Sequence, residues 1–191
     1  MRIIAGVAKG RTLSSVAGAT RPTSDRAREG LFSSLISEFG DFLGLNFLDL
    51  FAGSGAIGLE ALSRGANIVH SVEKDESACR TITTNATLVK ASKAVGDFHL
   101  YSMSAQKFLE GSAPTSYHII YIDPPYDFPD GDLYKCLEQL HNGGFVHEDA
   151  VIAVERPSKR SAFSWPAGFE ALRERNYGQA VIYYGNPAQN G

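Results

Sequence analysis

The chain has 191 residues, 43% of them apolar and 20% charged, which is the size and composition of one ordinary globular domain. It holds no apolar run of membrane-spanning length, and its first residues lack the hydrophobic stretch and cleavage site of a signal peptide, so a cytoplasmic protein is expected, with no membrane partner. Its two cysteines, Cys79 and Cys136, show neither a CxxC nor a Cys/His spacing, which excludes a disulfide framework or a zinc site as the organising feature.

The formal net charge of −3 hides an asymmetry. Within the first thirty residues stand Arg2, Lys9, Arg11, Arg21, Arg26 and Arg28 against only Asp25 and Glu29, so a basic amino-terminal segment precedes an acidic body. Such a segment suits a localised contact with a polyanion. A solvated charged face, or helix-start ion pairs of the arginines with Asp25 and Glu29, is the plainer alternative.

In chain order, the first twenty residues, with Gly6, Gly10 and Gly18, read as a short strand pair or arm. Ala27, Leu31, Leu35 and Phe39 then recur every four residues, with Phe32 and Ile36 beside them, and predict a helix from about Asp25, capped by Thr23 or Ser24. From residue 46 short apolar runs alternate with amphipathic stretches. Strands are predicted at Phe47–Phe51, Ile68–Val72, Phe98–Ser102, His118–Ile122 and Val151–Val154. Helices are predicted from Ile57 to Arg64, from Glu76 to Val89, around Ala105–Leu109 and from Leu133 to His141. This is the pattern of successive βα units on a mostly parallel sheet. The tail, Arg175 to Gly178 followed by Ala180 to Tyr184, reads as strand, turn, strand, an antiparallel hairpin at the end of that sheet. The chain thus divides into an amino-terminal extension and helix, residues 1–40, and a body, residues 41–191.

The segment Asp49-Leu50-Phe51-Ala52-Gly53-Ser54-Gly55-Ala56-Ile57-Gly58 follows a predicted strand and opens a predicted helix, the context in which a G-x-G-x-x-G pattern binds a nucleotide-like ligand. Gly53 permits a tight turn, Gly55 a close approach of backbone to ligand, and Gly58 close packing of helix on sheet. Twenty residues after Gly53, Glu73 stands just past the second strand, where a carboxylate can accept from both hydroxyls of a ribose. NAD and S-adenosylmethionine both carry that diol. Asp49 favours the second, because an acid near the loop suits a cationic sulfonium and ammonium and would repel a pyrophosphate. The arrangement D-x-F-x-G-x-G also resembles the first motif of class I methyltransferases.

After the fourth strand comes Asp123-Pro124-Pro125-Tyr126, at the carboxyl edge where open α/β sheets bind ligands. Two prolines hold the backbone extended and remove two N–H donors, leaving the Asp123 carboxylate and the Pro124 carbonyl as acceptors beside an aromatic ring. The amino group of guanine, adenine or cytosine is a poor nucleophile because its lone pair is delocalised. Two acceptors aimed at its hydrogens favour turning that lone pair toward a methyl donor, and Tyr126 can stack on the base. No metal is required. The residues therefore predict amino methylation of a nucleobase. A DNA adenine-N6 or cytosine-N4 enzyme and a catalytically silent RNA-binding module are the competing readings. The small size weighs against the first, the intact Asp123 against the second. The histidines at 70, 99, 118, 141 and 147 show no ligand spacing.

Taken together, Arg2-Ile3-Ile4-Ala5-Gly6 with Lys9-Gly10-Arg11, the segment Arg21-Pro22-Thr23-Ser24-Asp25-Arg26-Ala27-Arg28-Glu29, the loop at 49–58 and Asp123-Pro124-Pro125-Tyr126 resemble the RsmD family of bacterial 16S ribosomal RNA guanine-N2 methyltransferases. The resemblance spans nearly the whole chain. It implies a class I, Rossmann-like α/β fold with a seven-stranded, mostly parallel sheet, a carboxyl-terminal antiparallel hairpin and a short amino-terminal extension. It also implies S-adenosylmethionine as cofactor, N2-methylguanosine as product, and 16S rRNA or a small ribosomal subunit assembly particle as partner, with the enzyme acting as a monomer without metal. On this chain, Asp123, Pro124, Pro125 and Tyr126 would be the catalytic set. Asp49, Phe51, Gly53, Ser54, Gly55, Gly58 and Glu73 would hold the cofactor, and Arg2, Lys9, Arg11, Arg21, Arg26 and Arg28 would meet RNA phosphates. One departure stands out: Ser104 occupies a position where class I enzymes often carry an aspartate that contacts the adenine amine.

Overall fold

A computed structural model describes residues 1–16, 25–159 and 163–189. Helix α1 (Asp25–Phe39) precedes a chain of βα units: β1 (Asn46–Asp49), α2 (Ala56–Ser63), β2 (Ile68–Glu73), α3 (Glu76–Lys90), β3 (Asp97–Ser102), α4 (Ala105–Leu109), β4 (Tyr117–Ile122) and α5 (Asp130–Asn142). Strands β5 (Val146–Pro157), β6 (Phe169–Asn176) and β7 (Ala180–Pro187) complete it. The seven strands form one sheet in the order β3-β2-β1-β4-β5-β7-β6, parallel from β3 through β5 and antiparallel at β7 and β6. The doubly wound sheet with its terminal hairpin is the class I methyltransferase arrangement expected from the sequence.

The two faces of the sheet make two cores. One packs Leu31, Phe32 and Leu35 of α1 with residues of α2 and α3 against Phe47, Ile119, Tyr121 and Ala153. The other packs α4 and α5, through Phe108, Leu133, Cys136 and Leu137, against Leu48, Ile120 and Ile152. Strands β1 and β4 therefore bury both faces, which is why they read as unbroken apolar runs. Cys79 and Cys136 are buried free thiols, the second within the α4–α5 core.

The amino-terminal arm packs on the body rather than standing apart. Ile3, Ala8 and Leu13 join the α1 core, and Arg2 and Thr12 form an isolated antiparallel bridge. The arm is held by the buried Glu60 of α2, whose carboxylate accepts from Ile4 N (2.7 Å) and Ala5 N (2.9 Å) and pairs with Arg64 Nε at 2.8 Å. At Gly6 φ is +79°, and a Cβ there would fall 1.8 Å from the Ser63 carbonyl oxygen, so no other residue fits against α2.

Two elements differ from expectation. Strand β5 starts at Val146 rather than Val151, because His147, Glu148 and Asp149 are polar and interrupt the apolar run, while the pairing jumps from Tyr117↔Val146 to Ile119↔Val151. Strand β6 extends from Phe169 along Glu170, Arg173, Glu174 and Arg175. It is an edge strand with most side chains in solvent, where charge discourages pairing with another chain and erases the hydrophobic alternation that marks a strand. The caps expected at Thr23 and Ser24 lie outside the described residues.

Candidate active site

The strand order reverses between β1 and β4, and at that point the loops leaving the carboxyl ends of the strands diverge and open a crevice. A cavity of about 760 Å³ lies there. It is walled by Leu50, Phe51 and Gly53 after β1, Val72, Glu73 and Lys74 at β2, and Met103, Ser104 and Gln106 after β3. The other side is formed by residues 123–128 after β4, Glu155 of β5, and residues 177–180 in the β6–β7 turn. The volume is in the range of small-molecule sites.

On the β1–β2 side the loop is built around Glu73. Its Oε2 accepts from Gly53 N at 2.8 Å and its Oε1 from Asp75 N at 2.9 Å, so two backbone donors fix a carboxylate that still has lone pairs for a ligand's hydroxyls. Gly53 has φ +55° and open space where a Cβ would stand. Phe51 meets Phe128 edge-on, ring centroids 5.1 Å apart, across the cavity floor. Gly53, Phe51 and Glu73 are thus brought together as expected.

The other loop residues are not on the cavity wall. Gly55 (φ +77°) precedes α2, and a Cβ there would stand 3.1 Å from Ile82 Cγ1. At Gly58 it would stand 2.8 Å from Ser71 Oγ, so both glycines serve the packing of α2. The Ser54 carbonyl accepts from Asn85 Nδ2 at 3.0 Å. Asp49 is 1% exposed and accepts from Gly58 N at 3.1 Å. Burial pushes its carboxyl up to about 7, with the Gly58 hydrogen bond opposing and the Glu73 charge adding to the rise. Asp49, Ser54, Gly55 and Gly58, expected from the sequence to hold the cofactor, are placed here behind Gly53, where they shape the loop. Ser104 does line the cavity, but its hydroxyl caps α4 by accepting from Lys107 N at 3.2 Å. Gln106, two residues on from Ser104 in the same wall, brings an amide that the sequence alone does not single out.

On the β4–β5 side, the buried run Tyr117–Ile122 ends at Asp123, half-buried, and Pro124, buried. Phe128 N donates to the Pro125 carbonyl at 2.9 Å, closing the turn behind the tetrapeptide. Tyr126 is 53% exposed on the cavity rim, where a ring can receive a base. All four residues line the cavity. Two neighbours were missed. Glu155 ends the apolar run Val151–Val154 as Asp123 ends Ile119–Ile122, and that parallel was a readable signal. Tyr177 sits in the hairpin turn against α1 at Gly30, where an added Cβ would lie 2.3 Å from the tyrosine ring.

Of the basic residues, Arg2, Lys9, Arg11 and Arg26 are exposed. Arg26 lies one helical turn before Gly30 on the same face of α1, about 6 Å along the axis from the position that meets Tyr177. Arg28 corrects the expectation of an RNA contact. It is 1% exposed, donates from Nη2 to the Arg2 carbonyl (2.6 Å) and pairs with Asp25 at 2.9 Å, tying the arm to α1. Arg21 lies outside the described residues. His70, pushed down to about 4 by burial and by nearby His99, hydrogen-bonds to the Tyr117 hydroxyl at 2.7 Å, away from the cavity. Among the described residues there is no cluster that could hold a metal and no helix long and apolar enough to cross a membrane.

The sheet order, the glycine loop answered by Glu73 and the Asp-Pro-Pro-Tyr edge define a class I methyltransferase fold. A family model described as Conserved hypothetical protein 95 matches residues 1–186. Ribosomal RNA small subunit methyltransferase D of Escherichia coli (strain K12) is 35% identical over 182 residues, 95% of this chain and 87% of that protein. The protein of the same name from Haemophilus influenzae is 29% identical over 180 residues, covering 93% and 89%. The solved structure of the Escherichia coli protein yhhF superposes with a TM-score of 0.83 at 33% identity, covering 99% of each chain. The chain belongs to this family, the RsmD family.

Proposed function

We propose that this protein transfers a methyl group from S-adenosylmethionine to the exocyclic N2 of a guanine in 16S ribosomal RNA, free or within a small-subunit particle. The observation that carries the reading is that Asp123, Pro124 and Tyr126 line the same cavity as Gly53 and the anchored Glu73. The names of the relatives support ribosomal RNA as the substrate class.

The residues fit the cofactor. Glu73 would hold the ribose hydroxyls, Gly53 would let backbone lie against the ligand, and Met103, Ser104 and Gln106 would enclose the adenine side. When bound, S-adenosylmethionine supplies a methyl group made electrophilic by its sulfonium. The chain's own work is on the base. Asp123 and the Pro124 carbonyl accept the two amino hydrogens, favouring the pyramidal nitrogen needed for attack. Tyr126 stacks on the ring of a nucleotide turned out of its helix or loop. The proton made acidic by methylation leaves to Asp123 or water. Exposed Arg2, Lys9, Arg11 and Arg26 would take the flanking phosphates.

Asp123→Ala tests this division of labour. Calorimetric titration should find S-adenosylmethionine bound as in the parent, while methyl transfer to small subunits falls by at least ~10²-fold, the usual worth of a positioned acceptor or base. Transfer at the parental rate would remove Asp123 from the reaction.

A further inference from the structure

We propose that Glu155 selects guanine, by accepting the ring N1–H next to the amino group that Asp123 and Pro124 present for methylation. This rests on the amino-methylation reading above and adds to it the residue that chooses the base.

Position comes first. Tyr121 of β4 and Ala153 of β5 are register partners, and side chains two residues apart share a face. Asp123 follows directly on β4 and Glu155 stands in β5 one residue past the last register pair, Ile122↔Val154, so the register carries the two toward the same face. Both line the cavity. Glu155 is only 8% exposed, and its Oε2 accepts from the Tyr121 hydroxyl at 2.6 Å. Tyr121 is itself 1% exposed, so the carboxylate is held by a buried, immobile donor. The carboxylate's two oxygens offer roughly four acceptor sites, of which the Tyr121 hydroxyl takes one.

Chemistry then decides which base fits. Guanine, adenine and cytosine all offer an NH₂ to Asp123 and Pro124, and differ at the ring nitrogen alongside it. In guanine that nitrogen, N1, carries a hydrogen. In adenine N1 and in cytosine N3 it carries a lone pair. A carboxylate beside the amino acceptors bonds to the first and faces the other two lone pair to lone pair. A site built to accept an N–H rejects the analogue lacking it because a buried acceptor is left unpaired. Asp123-Pro124-Pro125-Tyr126 would serve any of the three bases. Glu155 is a group in the wall that would not.

The test uses the full chain and small subunits reconstituted with 16S rRNA into which a synthetic segment has been ligated. The segment carries either guanine or 2-aminopurine at the methylated position. 2-Aminopurine keeps the amino group and replaces N1–H with a lone pair. The parent should prefer guanine by on the order of 10²-fold in kcat/KM. Glu155→Gln has nearly the same shape and can offer either an acceptor or a donor, so it should narrow the preference to roughly tenfold or less, mainly through loss on guanine. Thermal unfolding checks that the variant folds. If Glu155 only buttresses Tyr121, the variant will slow both substrates by the same factor, and that result overturns the inference while leaving guanine methylation intact. A parent with no preference between the two bases overturns it without any variant. A parent that methylates neither base removes the functional reading itself, and the role of Glu155 falls with it.

Discussion

Replacing Asp49 with asparagine should raise the stability of the protein relative to the parent by an amount that grows with pH. Asp49 is buried beneath the start of α2 with the Gly58 N–H as its donor, and burial pushes its carboxyl from an ordinary 3.8 up to about 7. In the unfolded chain the group ionises near 3.8, whereas the folded chain keeps its proton to about 7. Between those values the unfolded state binds fewer protons, so stability falls as pH rises, and the loss is complete once pH passes about 7. The gap of roughly three pH units corresponds to about 4 kcal/mol. Asparagine keeps an oxygen for Gly58 and cannot ionise. Urea unfolding of both proteins at pH 5, 6, 7 and 8 should therefore show the difference, variant minus parent, climbing by about 1.4 kcal/mol per pH unit up to 7 and levelling above it. Groups such as His70 titrate alike in both proteins and cancel. A difference that stays constant from pH 5 to 8 would mean instead that Asp49 is ionised throughout, and that burial does not hold its proton.

The two arginines of the α1 start should separate cleanly. Arg26→Ala should weaken binding to small-subunit RNA and lower the slope of log K against log salt by about 0.7–0.9, one phosphate contact, with unfolding unchanged. Arg28→Ala should leave that slope alone and cost about 2 kcal/mol in urea unfolding, from the lost bonds to Asp25 and the Arg2 carbonyl and the volume removed. An altered slope for Arg28→Ala would return it to the RNA surface. In the arm, Gly6→Ala should destabilise by at least ~2 kcal/mol more than Gly10→Ala. Both have positive φ, but only the Gly6 Cβ would strike backbone, the Ser63 carbonyl oxygen. Equal costs would show that the arm is not pressed on α2 as described.

Much of this architecture is legible in the sequence, because buried parallel strands and amphipathic helices impose their periods on it. The four-residue spacing of Ala27, Leu31 and Leu35 marks α1, and the cavity wall keeps Phe51, Gly53, Glu73, Ser104 and residues 123–126. What sequence reading missed has local causes. Strand β6 is an edge, and solvent on its exposed side chains removes the alternation. Glu60 lies within an apolar helix, and only the packed arm supplies the donors that make its burial tolerable. Arg28 counts as one more basic residue until the chain folds and sets it against Asp25 and the Arg2 carbonyl. Asp49 and the glycines at 55 and 58 look like ligand contacts in a linear motif. In the fold they also let α2 start where it does, which depends on Ile82 and Ser71 from other elements. Glu155 shares with Asp123 and Glu73 the pattern of an acid closing a buried strand, and its value emerges only when register places it beside Asp123.

Guanine-N2 methylation is read out by incubating the protein with isotopically labelled S-adenosylmethionine and unmethylated small subunits, 16S rRNA or DNA, then digesting to nucleosides and measuring mass. Label is expected in N2-methylguanosine from the ribosomal samples. Label in N6-methyladenine or N4-methylcytosine, or in DNA instead of RNA, would contradict it.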